Sequence, residues 1–112
     1  MNIYIPYFYI IQEVSTGMYY AGSKYGKDAN PRTFMIEGGY TTSSNVINLL
    51  ISKNGIDSFE IKKIKSFNAS HEACGYETKF LQRINAAKHK LFYNCHNNNS
   101  IFDVEKMKFI TE

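Results

Sequence analysis

The sequence has no tryptophan, only two prolines and only two cysteines, and each scarcity removes a class of protein. Cys74 and Cys95 stand far apart without metal-type spacing, so a disulfide scaffold is set aside and free thiols in a reducing cytosol are expected. His71, His89 and His96 show no HExxH or related zinc spacing. There is no Ser-His-Asp or Cys-His arrangement, no GxxxxGK phosphate loop and no dinucleotide fingerprint. No stretch approaches the roughly 18 apolar residues of a membrane span. The opening MNIYIPYFY lacks the charged region of a signal peptide. A cytoplasmic protein with no membrane partner is expected.

What is abundant is tyrosine, nine of 112 residues, beside eight phenylalanines. Tyrosine combines a flat apolar ring with a hydroxyl, which suits a core, a polar cleft or a nucleic-acid surface. The length favours one domain, residues 1–112, with a core of about 5–96 and a tail of 97–112. Hydrophobic content of 44% argues against disorder, and the net charge of +3 permits an anionic partner without demanding one.

Residues 7–27 carry the densest pattern. Residues 3–14 are rich in Ile, Tyr and Phe and read as a strand, with Pro6 at an edge or at the strand's start. Ser15-Thr16-Gly17 reads as a turn, and residues 18–23 as the return strand of a hairpin. A two- or four-residue loop would put Tyr9 and Tyr20 on one face, and a three-residue loop would separate them.

Residues 23–42 are punctuated by Gly26, Asn30-Pro31 and Gly38-Gly39, which leaves room for short helical pieces around 32–37. Lys24, Lys27 and Arg32 lie in this loop, beside the hairpin, where ligand contacts or a solvated surface are both reasonable readings. Thr42-Ser43-Ser44 offers caps for a helix over 45–54, with Val46, Ile47, Leu50 and Ile51 on its apolar face and Gly55 as its stop. Residues 59–67 read as a third strand, made basic by Lys62, Lys63 and Lys65. Ser70 is expected to cap a second helix running to about residue 87. Its stripe of Ala73, Cys74, Phe80, Leu81 and Ile84 has Glu77 in the middle. A carboxylate there must be paired, metal-bound or at a cleft wall. Residues 91–94 read as extended, residues 94–100 as loop, and the tail as one amphipathic helix or a poorly ordered end.

One carboxylate with tyrosines and cations suits phosphodiester hydrolysis with one divalent metal. The residue order is similar to that of the GIY-YIG nuclease family. Tyr7-Phe8-Tyr9 stands for the first tripeptide and Tyr20-Ala21-Gly22 for the second, with ten residues between Tyr9 and Tyr20. Ser43-Ser44, Lys53-Asn54-Gly55, Phe59-Glu60-Ile61, Glu77 and Tyr93-Asn94 follow in the family's order, so the resemblance covers about residues 7–94. The stretches YAGSKYGKDANP, GYTTSS and YETKFL resemble a branch common in bacteriophages, which would place the protein in a host cell's cytoplasm.

The resemblance implies an α+β domain, a three-stranded antiparallel sheet flanked by helices, and a DNA endonuclease using Mg²⁺ or Mn²⁺. Glu77 would be the metal ligand and Tyr9 the general base or water-positioning group. Tyr20 would orient the site, Gly22 would allow close packing, and Asn94 would buttress the site. The family arginine falls at Asn30, eight residues past Gly22, so Arg32, Lys24 or Lys27 must supply the cation. Tyr40 or Thr42 would fill the space of a histidine that the family often carries there. Lys24, Lys27, Lys62 and Lys63, with Lys65, Lys88 and Lys90, are candidate phosphate contacts. The chain would then act with loose sequence preference, or take its target choice from a separate specificity domain or partner protein. Two alternatives stand beside the enzyme: a nucleic-acid-binding or regulatory domain that cleaves weakly or not at all, and a structural or protein-binding module.

Overall fold

The computed structural model describes residues 4–85 and 88–94, together with the backbone of two short strands near the C-terminus. Strands β1 (Tyr7–Glu13), β2 (Tyr19–Lys24) and β3 (Phe59–Ser66) form an antiparallel sheet in the order β2-β1-β3. Helices α1 (Asn45–Asn54) and α2 (Ser70–Ile84) complete an α+β domain. Among the described residues no helix is long and apolar enough to cross a membrane.

β1 is the central strand, and its sequence explains why. Alternate side chains of a strand leave opposite faces, and both faces of YFYIIQE are apolar near its start. Tyr7, Tyr9 and Ile11 enter one core with Ala29, Phe34, Ile47 and Phe59. Phe8 enters another with Ala21 and Leu81, against which Tyr76 and Phe80 of α2 pack. Pro6 therefore stands at the start of a central strand rather than on an edge, and its carbonyl accepts from Phe67 N (2.8 Å).

The hairpin turn settles the register. Glu13 N donates to Met18 O (2.8 Å), which leaves a loop of residues 14–17, with Gly17 at φ 75°. This is the four-residue case, so Tyr9 and Tyr20 share a face. Glu13 is buried, and its carboxylate accepts from Thr16 Oγ1 (2.7 Å) and from the Tyr93 hydroxyl. That carboxylate ties the turn to the segment 91–94, a connection the sequence did not announce.

Helix α1 spans the expected residues. Ser44 caps it, with Oγ accepting from Ile47 N (3.3 Å), and Gly55 ends it at φ 89°. Of its expected apolar face, Ile47 is buried and Leu50 and Ile51 pack on the core, but Val46 is half exposed. Ser70 does not cap α2. Ala69 holds that position without a side-chain hydrogen bond, and Ser70 is the first helical residue. The helix ends at Ile84 because Asn85 turns left-handed, φ 51°, and its N–H closes back on Gln82 and Leu81 carbonyls.

The expected tail helix is also replaced. Strands β4 (Ile101–Asp103) and β5 (Lys108–Ile110) pair antiparallel, with Phe102 opposite Phe109 and Ile101 opposite Ile110. β-Branched and aromatic residues at both ends of the tail favour this extended pairing over helix. Cys95 and the expected loop over 95–100 lie outside the described residues, while Cys74 is a free, half-buried thiol.

Tyr7 is wholly buried, and its hydroxyl has no hydrogen-bond partner among the described residues. Burying a large apolar ring contributes about 1.5–3 kcal/mol, and an unpaired buried hydroxyl costs about 1–3 kcal/mol. The two effects nearly cancel, so the ring without the hydroxyl should be better tolerated. Tyr7→Phe is expected to leave the urea midpoint unchanged or raise it, by up to about 1 kcal/mol in stability. A loss above about 1 kcal/mol would mean that the hydroxyl has a partner, such as a buried water.

Candidate active site

The site begins with a missing side chain. Antiparallel register sets Tyr9 opposite Gly22, and Tyr20, two residues away on β2, lies on the same face. The Tyr9 ring lies across Gly22. A Cβ at that position would stand 2.5 Å from Tyr9 Oη, 2.8 Å from Cζ and 3.3 Å from a Tyr20 ring carbon. The Tyr9 and Tyr20 ring centroids are 6.3 Å apart. Tyr9 also packs on Phe34, at 4.3 Å between centroids, so its ring is fixed from several sides.

Glu77 arrives from the other face of the sheet. On α2 it lies between Ala73 and Leu81, both fully buried, and is itself half-buried. Ser23, the residue after Gly22, faces α2 and donates its hydroxyl to Glu77 Oε1. Side chains from both faces thus meet at the end of β2. They enclose a polar cleft of about 180 Å³ lined by Tyr9, Tyr20, Gly22, Ser23, Tyr25, Ser43 and Glu77. Ser43 reaches it because the capping turn before α1, in which Thr42 Oγ1 accepts from Ser44 N (2.7 Å), projects the preceding residue outward.

Asn94 closes the edge of β2 beside this cleft. Residues 91–94 run along β2: Tyr19 N donates to Leu91 O (2.7 Å), and Tyr93 N donates to Tyr19 O (2.8 Å). At the next outward position the Asn94 carboxamide replaces a backbone peptide. Ala21 N donates to Oδ1 (3.1 Å) and Nδ2 donates to Ala21 O (2.8 Å). Asn94 does not line the cleft. It holds the residue between Tyr20 and Gly22, which is a buttressing position.

The cations divide into groups. Lys24 ends β2, with Nζ 4.8 Å from the Tyr40 ring centroid. Tyr40 in turn packs on Tyr9, with centroids 6.4 Å apart. Lys24 and Lys27 line a second cleft next to the first. Arg32 is exposed on a 3₁₀ turn, Pro31–Thr33, whose shape is set by Asn30 Oδ1 accepting from Arg32 N (3.0 Å), and it lines neither cleft. Lys62 sits at a bulge of β3 and pairs with Glu60 (2.9 Å). Lys63 donates to the Tyr76 hydroxyl (3.1 Å) on the α2 face. Neither Lys62 nor Lys63 lines the Glu77 cleft.

The electrostatics of Tyr9 are set by its burial. Burial, followed by the neighbouring Tyr40 and Tyr20, pushes the Tyr9 phenol well above its ordinary value of 10.0. Its hydrogen bond with Tyr40 and the charge of Glu77 act in the same direction. A base role would need that proton to be lost first, whereas a water-orienting role would use the phenol as it stands. Tyr25 is also raised, chiefly by the Cys74 thiol beside it.

Among the described residues no group of three or more His, Cys, Asp or Glu forms a metal site. The cleft offers one carboxylate and several hydroxyl oxygens. A hard cation there would be held through Glu77 alone, with water in its other positions, rather than by a cage of protein ligands.

Ser23, Tyr25 and Ser43 are cleft residues that stand inside the quoted motifs without being assigned to the site from sequence. Strand alternation carried a signal for the first: Ala21 and Ser23 must face the helix whose apolar stripe contains Glu77. Nothing in the sequence pointed to Tyr25. Tyr40, rather than Thr42, packs on Tyr9; Thr42 is buried and its hydroxyl accepts from Ser44 N in the turn before α1. No family model, no curated protein and no solved structure matches the chain.

Two outcomes follow from this geometry. Gly22→Ala should destabilise the fold by roughly 1–3 kcal/mol through overpacking. Tyr9→Phe in the same chain should restore part of the loss, a coupling that a double-mutant cycle in urea would measure. Independent, additive effects would contradict the close approach. Tyr7 and Tyr9 both hold their protons above the ordinary 10.0, through burial first and Tyr40 second. Their contribution to stability is therefore complete below about pH 10 and lost as pH rises towards the folded values. The urea midpoint should fall above about pH 10, and less steeply in Tyr7→Phe; identical slopes would contradict the assignment.

Proposed function

We propose that the protein is a metal-dependent endonuclease that hydrolyses DNA phosphodiester bonds in the cleft of Tyr9, Tyr20 and Glu77. One observation carries this reading. The tyrosine pair of the hairpin and a carboxylate 54 residues beyond Ser23 converge on one small polar cleft, with Glu77 hydrogen-bonded to Ser23. The ordered resemblance to GIY-YIG nucleases, in the phage-type branch, supports it from the sequence. So does Asn94, whose clamp on Ala21 suits the buttressing role that the resemblance implies.

Glu77 would hold Mg²⁺ or Mn²⁺, and the bound cation would supply compensation for charge on the scissile phosphate and leaving oxygen. The chain's own groups do the rest. Ser23 fixes the Glu77 carboxylate. Tyr9, protonated and locked by Phe34 and Gly22, orients the attacking water at its hydroxyl, and Tyr20 forms the adjoining wall. We assign the phosphate-facing cation to Lys24, because Lys24 stands beside Tyr40 whereas Arg32 lines neither cleft.

A second reading is a nucleic-acid-binding or regulatory domain that cleaves poorly. The position of Arg32, the arginine nearest to the family's place for one, favours it. A plasmid-nicking assay with Mg²⁺ and Mn²⁺ separates the two. The wild type is expected to nick, Glu77→Ala to lose at least about 10²-fold, and Tyr9→Phe roughly 10²-fold. DNA binding without cleavage in either metal would select the second reading. Affinity should fall with salt at a log–log slope of about −0.9 per phosphate contact; a flat dependence would remove the phosphate footprint.

A further inference from the structure

Beside the Glu77 cleft lies a larger one of about 450 Å³, to which Lys24, Lys27, Asp28, Thr33, Glu37 and Tyr40 contribute. Resting on the nuclease reading, we propose that this second cleft seats the unpaired nucleotide next to the scissile phosphate, so that the substrate is single-stranded or locally opened DNA.

The two clefts adjoin along the chain. Gly22 and Ser23 line the first and Lys24 the second; Ser43 lines the first and Tyr40 the second. The two linings therefore adjoin at Ser23 and Lys24. Lys24 stands at their boundary, where it would meet the phosphate that joins the two positions.

The shape argues against a duplex. Double-stranded DNA is read by elements that protrude into its grooves. A concave pocket, here within the roughly 300–1,000 Å³ range of small-ligand sites, instead takes a base that has left the stack. The lining is mixed, with two ammonium donors, two carboxylate acceptors, a threonine hydroxyl, one aromatic ring, the aliphatic side chain of Ile36 and two glycines. A purely phosphate-binding groove would not need Asp28 and Glu37, which would repel the backbone. The exocyclic amino groups of a base match those acceptors, and Tyr40 offers it an aromatic wall.

The cleft is also built in advance. Thr33 O accepts from Tyr40 N (3.1 Å), Tyr40 O from Met35 N (2.9 Å) and Ile36 O from Gly39 N (2.9 Å). A Cβ on Gly39 would lie 2.0 Å from Thr33 O, so only glycine lets the loop close. Asp28 and Met35 both hold positive φ, 67° and 58°, without being glycine. Strained positions of this kind persist where the surroundings fix them and are concentrated at ligand sites.

Lys27 and Glu37 are exposed, so substituting them leaves the core intact. The test compares wild type with K27A/E37A on one labelled DNA sequence, single-stranded and as a perfect duplex. Binding is read by fluorescence anisotropy in Ca²⁺ and cleavage in Mg²⁺. Wild type is expected to bind and cut the single strand at least tenfold better than the duplex, and the double variant to lose that preference. If wild type cuts both forms equally and the variant behaves the same, the subsite is wrong while the nuclease reading stands. If nothing is cut but the variant loses a single-strand binding preference, the subsite stands and the nuclease reading fails. Absence of both cleavage and any strand preference overturns both.

Discussion

Between the Tyr9 hydroxyl and the Gly22 backbone there is no room for another carbon, and the candidate site depends on that approach. The register of β1 against β2 brings the two residues opposite, and the four-residue turn sets the register. With a side chain at Gly22, Tyr9 would be displaced from Phe34 and Tyr40, and the cleft behind it would be filled. The same glycine opens the end of β2 to α2, so that Ser23 and Glu77 can reach the space that the tyrosines border.

Around that contact the domain is braced from two directions. Asn94 completes the outer edge of β2 with its side-chain amide, and the buried Glu13 ties Tyr93 to the hairpin turn. The first half of β2, from Tyr19 to Ala21, and the turn before it are thereby held by one segment, 91–94, that follows α2. Tyr9, Tyr20 and Ser23 are held on strands and Glu77 on a helix, which favours precise placement, while Tyr25 and Ser43 come from loops. The loop side is different in kind. Lys24 beside Tyr40, and Tyr40 against Tyr9, join the cationic loop to the tyrosine pair, and they tie the proposed nucleotide cleft to the proposed catalytic one.

Much of this was legible in the residues. The hairpin, α1, β3 and the placement of Glu77 on the inward stripe of α2 follow from alternation, helical spacing and turn chemistry. The central position of β1 was harder, because Pro6 allowed either an edge or a strand entry; it is the entry, with the ring just before the strand begins. The tail misled because apolar residues at 101–110 fit a helical stripe as well as a hairpin, and short segments do not distinguish the two. Arg32 attracted attention as the nearest arginine, yet the Asn30-capped turn leaves it on the surface. Ser43 and Tyr25 could not be placed from sequence, since which loop residues meet across a sheet edge is a property of the assembled fold.

The central claim is that water attacks a phosphodiester at Glu77 and Tyr9. It is tested most directly by digesting a DNA oligonucleotide in ¹⁸O-water with Mg²⁺ and weighing the products by mass spectrometry. The account predicts one ¹⁸O in the terminal phosphate of the cleaved strand, and no such product from Glu77→Ala. Unlabelled ends, or labelled product that persists undiminished in Glu77→Ala, would contradict it.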